Sequence, residues 1–63
     1  MNKNEFLEFV RENFYVEGAT LRLISNILDY VEGLSKCEHY NVLTSLLDNT
    51  IGLTDMEIKN VYF

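Results

Sequence analysis

Apolar residues recur every three or four positions along nearly the whole chain, a spacing that predicts helices. Three glycines, Gly18, Gly33 and Gly52, divide the sequence into four segments, and no proline interrupts any of them. Each segment can form one helix, since proline is the residue that most strongly breaks a helical run. We expect one all-α domain over residues 1–63, a small compact bundle of three amphipathic helices plus a short C-terminal helix.

The first predicted helix covers roughly residues 4–15, with Asn2 or Asn4 at its N-cap. At about 100° per residue, its apolar side chains share one arc and its acidic side chains share the opposite arc. The residues of this acidic stripe are Glu5, Glu8 and Glu12. Two interpretations stay open. The stripe orients the protein on a basic partner surface, or it only keeps a small protein in solution.

The second predicted helix, from about Thr20 to Glu32, has an apolar arc about half its circumference wide. Two stripes form that arc: Leu21, Ile24, Leu28 and Val31 in one, and Leu23, Ile27, Tyr30 and Leu34 in the other. A helix with so wide an apolar face contacts more than one neighbour, because a single partner helix covers a narrower stripe. We therefore expect this helix to be central, with both stripes buried.

Two S/T-x-x-E capping boxes mark the next helix starts, because in such a box each side chain bonds the backbone amide of the other residue. Ser35 with Glu38 begins the third helix, which runs to about Thr50. The apolar residues we expect it to bury are Tyr40, Leu43, Leu46, Leu47 and Ile51. Thr54 with Glu57 begins the fourth helix in the same way.

The fourth helix contains the C-terminal Val-Tyr-Phe sequence as its last turn, and it carries apolar side chains on two faces. Ile58, Val61 and Tyr62 fall on one arc, whereas Met56 and Phe63 lie nearly opposite. Either this helix is wedged within its own chain, or one face is left over for a partner. We take Met56, Tyr62 and Phe63, together with the acidic stripe, as candidate partner-binding residues.

The charge balance excludes several classes of partner. Ten acidic and five basic residues give a net charge of −5. Nucleic-acid backbones and anionic membranes are bound by clustered lysine and arginine, and here these residues are scattered singly. No apolar run approaches the length of a spanning helix, and the N-terminal MNKNEFLEF carries acid where a signal peptide is apolar. We expect a cytoplasmic protein that binds neither nucleic acid nor membrane.

The sequence offers little chemistry. The lone cysteine, Cys37, and the lone histidine, His39, fall short of a structural zinc site, which needs four ligands. Residues two apart do not face each other on a helix, so these two form a poor nucleophilic pair. We interpret His39 as a partly buried core residue, and Cys37 as a small apolar filler rather than a redox site. With no phosphate-binding loop or nucleophile elbow, we expect no enzyme activity, cofactor, metal or small-molecule substrate.

These observations favour a small acidic, non-enzymatic protein-interaction module that occupies the surface of a partner protein. It would act as an inhibitor, an antitoxin-like protein or a phage or mobile-element accessory protein. The partner is another protein, a second copy of the chain, or both. We expect a homodimer, because a chain of about 60 residues buries only about 60% of the surface that its unfolded form exposes.

Two other hypotheses differ in class. The segment LLDNTIGLTDMEIKNV has the shape of a helix-turn-helix, which suggests a dimeric DNA-binding regulator. Its recognition helix would begin TDMEIKN, which offers two acids against one lysine and one asparagine, a poor set for reading bases. The other hypothesis is a purely structural, self-assembling protein.

Overall fold

Four helices follow one another in the computed structural model, which describes residues 1–62. They are α1 (Lys3–Phe14), α2 (Gly18–Glu32), α3 (Lys36–Ile51) and α4 (Asp55–Val61). The prediction of a small all-α bundle is confirmed. Helix α2 packs on both α1 and α3, as expected of the central helix, and α4 packs on α3.

Helices α1, α3 and α4 start at the predicted capping residues, whereas α2 has no side-chain cap. The Asn2 side chain accepts a hydrogen bond from the Glu5 amide at 2.8 Å, and Thr54 Oγ1 accepts one from the Glu57 amide at 3.2 Å. In these two boxes the glutamate carboxylate accepts in return from the amide of the cap residue. Ser35 Oγ accepts from the Glu38 amide at 3.3 Å, so the predicted Ser35–Glu38 box forms its first bond only. Each such cap stabilises its helix by about 1 kcal/mol.

Helix α3 ends at the predicted glycine stop, Gly52, which adopts the left-handed conformation with φ 73°. Its amide donates to the Asp48 carbonyl at 3.0 Å and closes the last turn of α3. Helix α1 ends one residue earlier than expected, because Tyr15 also turns left-handed, at φ 55°. Helix α2 starts two residues earlier than expected, at Gly18.

The core lies along the axis of the bundle and draws on all four helices and on the loop before α4. Its fully buried side chains are Phe6, Val10, Ile24, Leu28, Val31, Leu43, Leu47, Leu53 and Ile58, and Ile27 is 8% exposed. Leu53 precedes the cap of α4 and Ile58 follows it, the spacing of a hydrophobic staple that fixes the direction of the entering chain. Burial of both residues fits that role.

The buried Phe6 and Val10 hold α1 in the core, and a salt bridge and an aromatic pair add to this packing. Lys3 Nζ lies 2.6 Å from Asp29 Oδ1 of α2. The Phe6 ring meets the Tyr62 ring edge to face, with centroids 4.9 Å apart and an interplanar angle of 77°. The residue after α4 therefore packs back on α1, so the chain closes on itself around the core.

Three large apolar residues that we expected to be buried are exposed. Leu23 is 49% exposed, Tyr30 62% and Leu46 39%, so the predictions that both stripes of α2 are buried and that α3 buries Leu46 are wrong. The physical reason is the number of neighbours. Helices α1 and α3 cover the first stripe and Ile27, and within residues 1–62 no further element lies over the outer part of the arc.

Candidate interaction surfaces

The acidic stripe of α1 is open to solvent, since Glu5, Glu8 and Glu12 are all exposed. The Glu5 carboxylate accepts from the Asn2 amide at 3.3 Å, and Glu8 accepts from Arg11 at 3.3 Å. Surface pairs of this kind contribute at most about 1 kcal/mol, so they leave the glutamates available to a cation on another molecule. The geometry agrees with either interpretation of the stripe.

The candidate residues at the C-terminal end are separated by the fold. Met56 points away from the buried Ile58 and is 70% exposed. Tyr62 is half-buried between the Phe6 ring and the His39 ring, with a centroid distance of 5.6 Å to the latter. Burial raises the pKa of the Tyr62 phenol, and the nearby charge of Glu32 raises it further. Phe63 lies outside the described residues.

Cys37 and His39 lie in different surroundings. The histidine is half-buried beside Tyr62, in keeping with the interpretation of a partly buried core residue. The cysteine is exposed, and its sulfur accepts from the Asn41 side chain at 3.7 Å. The prediction that Cys37 fills the core is therefore wrong, because position 37 falls on the solvent side of the first turn of α3.

An open polar depression of about 350 Å³ lies between α3 and the start of α4. Its lining residues are Thr44, Ser45, Asp48, Asn49, Thr54 and Asp55. Sites for small molecules normally enclose most of their ligand, which an open depression does not do. Among residues 1–62, no three histidine, cysteine or acidic side chains lie together in a geometry that would hold a metal ion.

A further surface, which the sequence analysis did not propose, begins on α2. Asp29 bonds Lys3 and so marks the flank of α2 that faces α1. Leu23 and Tyr30 lie at least 100° from Asp29 around the helix, on the other side of the buried residues. They therefore occupy the flank that faces away from α1.

Helix α3 shows the mirror arrangement. The depression beside Thr54 is lined by Thr44, Ser45, Asp48 and Asn49, which together span the solvent side of α3. Relative to Thr44, Val42 and Leu46 lie on the opposite side of the buried Leu43 and Leu47. Because α2 packs on both α1 and α3, the side of α2 turned away from α1 lies next to α3.

The turn between α2 and α3 sets the register of these flanks. It spans only residues 33–35, so residues at similar distances from it lie at similar levels in an antiparallel pair. Leu23 and Leu46 are ten and eleven positions from the turn, and Ile27 and Val42 are six and seven positions from it. We define the α2–α3 face as Leu23, Ile27, Tyr30, Val42 and Leu46.

The rim of the α2–α3 face consists mainly of amides and a hydroxyl. Its exposed members are Asn26, Ser45 and Asn49, and the last two also line the depression beside Thr54. Within the part of the chain that the structure describes, Glu38 is the charged side chain that helical geometry places on this face. In a chain of net charge −5, an apolar face with so few charges is unusual. Scarce charge around exposed aromatic and aliphatic residues is typical of the centre of a protein–protein interface.

This face was partly visible in the sequence. The apolar arc of α2 is too wide for two neighbours, and asparagine and serine take the places beside it where a solvated helix carries charge. What the sequence lacked was the direction in which α4 folds back.

The α3–α4 pair meets across Gly52, the shape that suggested a helix-turn-helix. Helix α4 opens with Asp55 and Glu57 and carries Lys59 near its end. The DNA-binding hypothesis stays a prediction to which this geometry adds no support.

No family model matches the chain, and no curated protein or solved structure shows significant similarity to it. Across residues 1–62, no helix has both the length and the apolar content to cross a bilayer. The described surfaces thus define the chain by class alone, as a small acidic helical bundle with an exposed apolar face that carries little charge.

Proposed function

We propose that this chain is a non-enzymatic protein-interaction module that binds through the α2–α3 face. The observation that carries the proposal is the exposure of Leu23, Tyr30 and Leu46 at one surface of a strongly acidic molecule where Glu38 is the charged residue. Each Å² of such apolar surface removed from water contributes about 25 cal/mol. A partner that covers the face therefore recovers burial that this short chain does not achieve alone.

The acidic stripe gives the proposal a second, electrostatic component. Glu5, Glu8 and Glu12 lie on the side of α1 opposite the core, well removed from the α2–α3 face. Exposed charges far from an apolar contact mainly raise the association rate and orient the encounter. The stripe would direct the molecule towards a basic protein surface, as an inhibitor or accessory factor would require.

The proposal is tested by quantitative affinity capture with three matched baits. They are the wild type, the face variant Leu23→Gln/Tyr30→Gln and the control variant Tyr15→Gln. Glutamine is a good helix former, so the face substitutions remove apolar surface without opposing the helix. Tyr15 is more exposed than Leu23 or Tyr30, but it follows α1, away from the face.

We expect at least one protein to be retained by both the wild type and the control. The amount of that protein retained by the face variant should be about tenfold lower, which corresponds to about 1.4 kcal/mol of lost binding free energy. Circular dichroism would first show that all three baits are equally helical. Equal retention of every captured protein by the face variant would refute the proposal. Charge-neutral variants of Glu5, Glu8 and Glu12 should slow association without abolishing it.

A further inference from the structure

We propose that the C-terminal strap, residues 53–62, exchanges between two copies of the chain, with Gly52 as the hinge. In the exchanged dimer each strap closes on the bundle of the other copy. This inference goes beyond the proposed function and uses a different part of the molecule, so either one can fail while the other stands.

The strap carries its own hydrogen bonds. Thr54 and Glu57 form a complete capping box at its helix start, and the Thr54 hydroxyl donates to the Glu57 carboxylate at 2.9 Å. The Ile58 amide donates to the Thr54 carbonyl at 3.0 Å, and the Tyr62 amide donates to the Ile58 carbonyl at 2.8 Å. All these bonds lie inside the strap, so a rotation about Gly52 leaves them intact.

The contacts that hold the strap to the bundle are mainly apolar. Leu53 and Ile58 are fully buried in the core, and the Tyr62 ring packs on the Phe6 ring of α1. An exposed hydrogen bond from the Met1 ammonium to the Tyr62 carbonyl, at 3.4 Å, adds to them. A second copy offers the same surface, so a two-fold exchange forms each contact twice between the chains.

The turn at Gly52 is the part of the chain that differs between the closed and exchanged forms. Gly52 has φ 73°, and a Cβ added to it would meet nothing within 4 Å. Backbone preference, rather than packing, therefore requires glycine at this turn. With Gly52 right-handed, α3 would continue through Leu53 and Thr54, since no proline interrupts it. A continuous helix over residues 36–61 would be about 39 Å long. The closed bundle is 28 Å in its longest Cα extent, so the strap would lie beyond its own bundle.

Because the two forms share their contacts, concentration and the hinge set the balance between them. A strap on a short linker is present at its own bundle at an effective concentration in the millimolar range. The wild type should therefore be closed at micromolar concentration. Alanine at Gly52 opposes the left-handed turn and favours the continuous helix, by about tenfold per chain, the factor that corresponds to about 1.4 kcal/mol. The dimer has two hinges, so Gly52→Ala should lower its dissociation constant about a hundredfold.

The first test is the molar mass by light scattering over a concentration range of about 10 µM to 1 mM, which lies below the effective concentration of the strap. We expect Gly52→Ala to change from 7.4 kDa to twice that mass and to keep its helical content by circular dichroism. Gly52→Asn should behave like the wild type, because asparagine tolerates the left-handed conformation. Gly33→Ala should also do so, because Gly33 is already right-handed. A Gly52→Ala chain that stays monomeric, or that loses its helices, would overturn the proposal.

The second test shows which chain supplies each strap. Carbon-13-labelled and unlabelled Gly52→Ala chains are unfolded, mixed and refolded, and an isotope-filtered nuclear Overhauser spectrum is recorded. We expect a cross-peak between the Phe6 ring of one chain and the Tyr62 ring of the other. A dimer in which the Phe6–Tyr62 contact stays within one chain has formed side by side, and that result would rule out exchange. The capture experiment with Leu23 and Tyr30 decides the proposed function separately, because neither residue belongs to the strap.

Discussion

The contact between Phe6 and Tyr62 gives the sharpest test of how the chain closes. Phe6 is fully buried on α1, and Tyr62 follows α4, 56 positions later in the sequence. Their rings meet edge to face at 4.9 Å, within the range in which an aromatic pair contributes about 0.5–1.5 kcal/mol beyond the burial of its area. We predict a coupling free energy of that size between the two positions.

The size of the protein sets the choice of substitution. At about 0.05–0.15 kcal/mol per residue, a chain of 63 residues has a free energy of unfolding of about 3–9 kcal/mol. Phe6→Ala would cost about 3–5 kcal/mol and unfold much of the sample. Leucine keeps most of the apolar volume and removes the ring, so the cycle should use Phe6→Leu, Tyr62→Leu and the double variant.

The assay is urea unfolding followed by far-ultraviolet circular dichroism, with the free energy of unfolding extrapolated to water. The double variant should be more stable than the sum of the two single effects predicts, by about 0.5–1.5 kcal/mol. Tyr15 is 88% exposed, so a parallel cycle of Phe6 with Tyr15→Leu should show no coupling. Additive effects of Phe6 and Tyr62 within about 0.3 kcal/mol would mean that the Tyr62 ring does not pack on the Phe6 ring as described.

Three further predictions concern single positions. Thr54→Ala removes the cap of α4 and should lower the free energy of unfolding by about 1 kcal/mol, which corresponds to a melting temperature about 4–8 °C lower. An unchanged melting temperature would argue against the cap. Gly52→Ala forces a side chain into the left-handed conformation and should cost about 1–2 kcal/mol in urea unfolding. The matched substitution Gly33→Ala, at φ −83°, should lower the free energy of unfolding far less. Equal losses of stability in the two variants would contradict the left-handed conformation of Gly52. Because the pKa of Tyr62 is raised in the folded state, stability should be fully present below pH 10 and fall as the pH rises through the folded pKa. Tyr62→Phe should remove that alkaline loss and Tyr15→Phe should not, as measured by melting temperature against pH.

The positions of the helices were predictable because their signals are local. A cap such as Thr54 acts on an amide three residues away, and Gly52 needs only its own backbone to adopt a left-handed turn. Such signals do not depend on what the rest of the chain does. For the same reason α2 was harder to place, since its start has no side-chain cap and it begins at Gly18 instead of Thr20.

Burial was predictable only in part, because periodicity shows which residues share a face and not how many neighbours cover it. Ile24 and Leu28 are buried as expected, whereas Leu23 and Tyr30 on the same wide arc are not. Cys37 shows the same limit on α3, where a residue type that is usually buried lies on the solvent side. Each of these outcomes depends on the positions of neighbouring helices rather than on local sequence.

The direction of α4 explains why the exposed apolar surface lies where it does. At Gly52 the chain leaves α3 in a left-handed turn, and the buried Leu53 fixes it against the core. From there α4 runs towards α1, where the ring of Tyr62 reaches Phe6. A helix of seven residues is about 10 Å long and covers one side of the bundle only. By closing the side between α3 and α1, α4 leaves the side between α2 and α3 uncovered. The exposure of the α2–α3 face is thus a consequence of how the described part of the chain closes.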